Sequence, residues 1–141
     1  MKSICFSFLA VLFTSLSSFA QEDAITKYFN KYMDDEKFSV VYISPKMFSM
    51  VSKIEIEDME PELQEVIKSM KGLRILHTEQ NALQYYNDAL KTINTSEYEL
   101  LLTARGEGEN VRFMVKDNGD IVEELLMIVG GNENFALLSF I

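Results

Sequence analysis

The sequence predicts an α+β domain, with helices packed on one face of a mixed sheet that ends in a four-stranded antiparallel meander. Three observations carry this. Apolar residues recur at helical spacing through most of the chain up to Ile93, and they alternate with period two after Ser96. Glycine-bearing turns at Gly106-Glu107-Gly108, Asn118-Gly119 and Gly130-Gly131-Asn132 then divide the second half into hairpin-length segments. Helices placed before strands argue against a doubly wound fold, in which the two alternate.

Residues 1–20, MKSICFSFLAVLFTSLSSFA, have one charged residue, Lys2, then an apolar core over 4–13 and small residues at Ser18 and Ala20. This pattern predicts a secretory signal cleaved after Ala20, with an apolar core too short to span a bilayer. Residues 21–141 are then a single α+β domain. The only cysteine, Cys5, falls inside the signal and has no lipidation pattern before it. No disulfide can brace the exported domain, but roughly 120 residues suffice for one hydrophobic core.

In the first half, Ala24, Ile25, Tyr28, Phe29, Tyr32 and Met33 form one broad helical face over 22–35. A β-branched and aromatic run over 38–43 reads as a strand, and Ser44-Pro45 reads as the N-cap and first-turn proline of a second helix. Pro61 opens a third helix, with Leu63, Val66, Ile67 and Met70 on one side and Gly72 as its stop. Residues 73–77 give a second strand. Thr78 is placed to cap a longer helix over 79–93, with Ala82, Leu83, Tyr86, Ala89, Leu90 and Ile93 at helical spacing. The meander strands fall at 98–105, 111–116, 120–129 and 135–141. Segments 125–129 and 135–141 are apolar on both strand faces, so both faces of the sheet call for cover by a helix, a subunit or further polypeptide. The chain stops within this strand-like run, which suggests a truncated C-terminus.

Charge narrows the function classes. The chain has 13 basic and 22 acidic residues, a formal charge of −9, and without Lys2 the remainder carries −10. Such a surface repels nucleic acid and anionic lipid. After the signal no apolar run approaches 18 residues.

Motif chemistry is sparse. The sole histidine, His77, has no cysteine or second histidine to complete a thiol pair or a common zinc set, and no G-x-S-x-G elbow surrounds Ser44, Ser49, Ser52, Ser69, Ser96 or Ser139. Six acids, Glu55, Glu57, Asp58, Glu60, Glu62 and Glu65, crowd one segment; they read as a solvated linker and helix start, with weak cation binding as the alternative. Asp117-Asn118-Gly119-Asp120 lacks calcium-loop spacing, and Gly130-Gly131 lacks the Lys-Ser/Thr and helix of a phosphate loop. Glu123 and Glu124 lie on opposite strand faces. No catalytic, cofactor or metal residue is assigned, and no cofactor is expected. Methionines Met33, Met47, Met50, Met59, Met70, Met114 and Met127, with Tyr28, Phe29, Tyr32 and Phe48, supply mostly core and some adaptable binding surface.

The signal ending near Ala20-Gln21, the strand over 38–43, "GLRIL", "YELLLTARGEGENVRFMVKDNGDIVEELLMIVGG" and the apolar last strand together resemble domain-of-unknown-function family 4252 over nearly the whole chain after the signal. The resemblance implies an exported protein of Bacteroidetes-type Gram-negative bacteria, with no assigned activity and a short continuation beyond the last strand. Its association with extracytoplasmic-function sigma factors implies a signalling or stress context in the cell envelope. The expected function is a non-catalytic periplasmic or envelope binding or scaffolding module. It would contact a protein partner, or self-associate through the C-terminal strands. The alternative is a small hydrolase or cation-dependent enzyme using His77 and nearby carboxylates.

Overall fold

The computed structural model describes residues 23–54, 57–93 and 95–141. The proposed signal therefore lies outside the described residues. Four helices, α1 (Ala24–Tyr32), α2 (Pro45–Val51), α3 (Pro61–Ser69) and α4 (Ala82–Thr92), accompany six strands: β1 (Ser39–Ile43), β2 (Leu73–Thr78), β3 (Glu99–Gly106), β4 (Glu109–Asp117), β5 (Val122–Gly131) and β6 (Phe135–Phe140). The strands form one sheet in the order β1-β2-β6-β5-β4-β3. The α+β expectation and the four-strand meander hold. The sheet is antiparallel throughout rather than mixed, because the α2–α3 excursion returns the chain beside β1 in the opposite direction and β6 then pairs antiparallel with β2.

Local chemistry sets the element ends. Asp23 caps α1, its carboxylate accepting from Thr26 N at 2.9 Å and from Thr26 Oγ1 at 2.8 Å. Ser44 caps α2 with Pro45 in the first turn, as expected. Thr78 does not cap α4. It ends β2, where its hydroxyl donates to Lys37 O and accepts from Gln80 N, and Asn81, at φ 50°, begins the helix three residues later than expected. The β3–β4 connection is a two-residue loop with positive φ at both Glu107 and Gly108, the backbone that matches strand twist.

Gly130 and Gly131 are not the turn that their sequence suggested. Both lie within β5, and the chain reverses over 132–134. Their value is close approach: a Cβ on Gly130 would overlap the Tyr86 ring, and one on Gly131 would overlap Gly108 O.

One sheet face carries the core. Ile25, Tyr28, Phe29 and Tyr32 of α1 and Ala82, Tyr86 and Ala89 of α4 pack over Leu76, Phe135, Leu137, Leu126 and Ile128. Tyr28, Tyr32, Phe38, Tyr85 and Phe135 meet edge-on or tilted, with centroids 4.8–6.4 Å apart. Each large apolar side chain buried here contributes about 1.5–3 kcal/mol. Of the helices expected on this face, α1 and α4 supply the layer. Neither α2 nor α3 has a buried residue, and the two pack on each other at the end of the sheet where β1 leads out and β2 returns.

Candidate functional site

The residues singled out for chemistry are scattered. His77 is half-buried near the end of β2, with Nε2 3.4 Å from Asn134 Oδ1. Its strand parity puts it on the face opposite Ser139. Ser44 is spent as a helix cap, while the Ser52 and Ser69 hydroxyls donate to Ser49 O and Val66 O. Of the acidic run, Glu57, Asp58, Glu60, Glu62 and Glu65 are all exposed, and among the described residues no three His, Cys, Asp or Glu side chains converge as a metal set. A depression of about 140 Å³ between the β3–β4 and β5–β6 turns is lined by Glu107, Gly108, Glu109, Asn132 and Glu133.

The helix-covered face holds a polar cluster that motif reading did not find. Arg74, 5% exposed, donates from Nη1 to Thr26 Oγ1 at 2.6 Å and from Nη2 to Ser139 Oγ at 3.2 Å, with Glu124 Oε1 at 3.6 Å. Ser139 donates to Glu124 Oε1, and the Tyr98 hydroxyl donates to Oε2 at 2.7 Å. The cluster thus joins the first turn of α1, three sheet strands and the entry to β3. Burial, then the bond to the Glu124 carboxylate, pushes the Tyr98 hydroxyl well above its usual range. Partial burial works against ionisation of Asp23, yet the Thr26 hydrogen bonds and the Arg74 charge outweigh it and hold the carboxyl below 3.8. Arg74 Nε is buried without a partner. Parity was the available signal, since Arg74 and Glu124 alternate in phase with Leu76 and with Leu126 and Ile128. Arg74, Glu124 and Ser139 are buried while Thr26 and Tyr98 are half-buried, and the geometry is that of a clamp between elements.

The other face of the sheet is different in kind. The strand registers define continuous rows across it. One row reads Val41, Ile75, Leu138, Met127, Phe113, Leu102 from β1 to β3, apolar at every position. The row beside it reads Ile43, Leu73, Phe140, Leu125, Val115, Glu99, and on the other side lie Ser39, His77, Ala136, Val129, Val111 and Ala104. No lysine or arginine occurs in the three rows, and the one acid, Glu99, lies at the β3 edge. Both α1 and α4 lie on the opposite face, so this face has no helical layer among the described residues. The alternation of buried Leu126 and Ile128 with half-buried Leu125, Met127 and Val129 agrees with the two-faced reading of β5, and Phe135, Leu137 and Ser139 of β6 turn inward while Ala136, Leu138 and Phe140 turn outward. Val41 and Leu102, at the two edges of the sheet, are 46% and 53% exposed. Edge strand β3 also leaves Leu100 and Leu101 more than half exposed, beside a bulge that interrupts its register.

Among the described residues, no helix is long and apolar enough to cross a membrane. No curated protein and no solved structure matches the chain. A family model, described as a domain of unknown function (DUF4252), matches residues 32–141, from the last turn of α1 through all six strands. The chain belongs to the DUF4252 family.

Proposed function

We propose that this protein is an exported, non-catalytic protein-binding module of the Gram-negative cell envelope, and that its working surface is the helix-free face of the sheet. The observation that carries the reading is the row from Val41 to Leu102: six strands contribute apolar side chains to one uncharged plane. Apolar patches beyond a few hundred Å² are rare on monomers unless something docks there. Among the described residues, His77 and the acidic segment share no cleft, which supports binding over hydrolysis.

The test is crosslinked recovery from native envelopes of wild type, Glu62→Ala and Met127→Lys. A binding module acting through this face keeps its crosslinked product in Glu62→Ala, an exposed position on α3, and loses it in Met127→Lys, with circular dichroism unchanged in both. Equal products from all three variants, or none from wild type, would sink the proposal.

A further inference from the structure

We infer that the occupant of the helix-free face is a second copy of this chain, laid sheet to sheet about a dyad that runs parallel to the strands. The inference rests on the reading of that face as the working surface and adds the identity of what covers it.

Width decides between kinds of occupant. Six strands spaced about 4.8 Å apart put β1 and β3 about 24 Å from each other, whereas a helix with its side chains is about 10–12 Å across. One docked helix would leave most of the row uncovered. A second twisted sheet, packed about 10 Å away at roughly −30°, covers all of it. The same face on another copy is such a sheet, of equal dimensions and with the same uncharged central row. Its footprint of roughly 600 Å² per copy approaches the roughly 800 Å² per partner of standard stable interfaces, before any rim contact is counted.

Charge selects the symmetry. A copy with this acidic surface can approach another closely only where acids are absent or offset. Glu99, Glu109 and Glu123 fringe the face at the ends of β3, β4 and β5, all in one half of the sheet. A dyad along the strands stacks that half on β1, β2 and β6 of the other copy. Within the central row, Val41 then meets Leu102 of the second copy, Ile75 meets Phe113 and Leu138 meets Met127, while Glu99 lies over Ile43 instead of over itself. The interface is isologous, so it closes at two copies.

The test is mass by light scattering across dilution, paired with single-cysteine crosslinking in a Cys5→Ser background. Wild type should show twice the chain mass at high concentration, falling to the monomer on dilution. Met127→Lys and Leu138→Glu should stay monomeric with unchanged circular dichroism. A mixture of Val41→Cys and Leu102→Cys chains should crosslink with a short bis-maleimide, and neither chain should do so alone. These cysteine variants add no charge, so they read the arrangement independently of any folding defect in the charged ones. A wild type that is monomeric at every concentration, or a crosslink between two Val41→Cys chains, overturns the inference. If wild type is monomeric but recovers a different envelope protein in a Met127-sensitive way, the second copy is excluded and the binding-module reading survives. If neither product forms, both fall.

Discussion

Replacing Arg74 by Met should be among the most damaging single changes in the protein, and the structure sets the scale. The Arg74 and Glu124 side chains are 7% and 9% exposed with 3.6 Å between Nη2 and Oε1, so solvent screens them little. At an effective dielectric near 20, that separation corresponds to a gross attraction of about 4–5 kcal/mol. Removing the guanidinium strands a buried carboxylate that keeps the Ser139 and Tyr98 hydroxyls as donors, and a loss of about 3–5 kcal/mol is expected. Urea unfolding with a slope of about 2 kcal/mol per M would show the midpoint falling by roughly 1.5–2.5 M. Glu124→Leu should cost a similar amount by stranding the cation. The double variant Arg74→Met with Glu124→Leu should cost only about 2–4 kcal/mol, mostly from the orphaned Ser139 and Tyr98 hydroxyls. Single changes that each cost under about 1 kcal/mol, or a double that is additive within about 0.5 kcal/mol, would refute the claim that these groups are a coupled buried pair.

Gly130→Ala should destabilise by about 1–3 kcal/mol through overlap with the Tyr86 ring, and Tyr86→Leu in the same chain should recover part of the loss; thermal melts of the two singles and the double check this. Asp23→Ala should lose about 1 kcal/mol at neutral pH with the α1 cap. Because the folded carboxyl titrates below its ordinary value, its charge-dependent contribution is present well above the unfolded pKa and is lost as pH falls through the folded pKa, so wild type and Asp23→Ala should begin to converge near about pH 4 and meet only in stronger acid. The two faces of β5 should respond oppositely in dilute, monomeric protein. Ile128→Ala costs about 2–5 kcal/mol, and Met127→Lys leaves the unfolding free energy from urea titration within about 0.5 kcal/mol of wild type.

Alternation made the sheet legible: it located all four meander strands and put Leu126 and Ile128 on the opposite face of β5 from Leu125, Met127 and Val129, although only the structure shows which face is inward. What went unread depended on partners distant in sequence. Thr78 has the chemistry of a helix cap, but pairing with Phe135 keeps it in a strand. Gly130-Gly131 has turn composition, yet a ring 44 positions earlier and a neighbouring hairpin decide its place. The apolar stripes of α2 and α3 imply a core-facing role, and short range offers nothing to say that the two helices stand off the sheet. The Arg74 cluster was visible only as charged residues in phase with buried ones, a signal that becomes meaningful once β2, β6 and β5 are known to be neighbours.

The position of β6 bears on how the molecule is assembled. It follows the other five described strands in sequence and it occupies the middle of the sheet, with Arg74 and Ser139 meeting across 65 residues of sequence. Until it inserts, β1 and β2 are a two-stranded ribbon with an open β2 edge, and β3 to β5 are a separate meander with an open β5 edge. Long-range pairing of this kind is slow, since the chain closes a large loop before any contact rewards it. Until β6 pairs, the two halves therefore wait as unjoined pieces. A β6 supplied by a neighbouring chain would satisfy both edges as well as the chain's own, which makes strand exchange the characteristic misassembly of this topology.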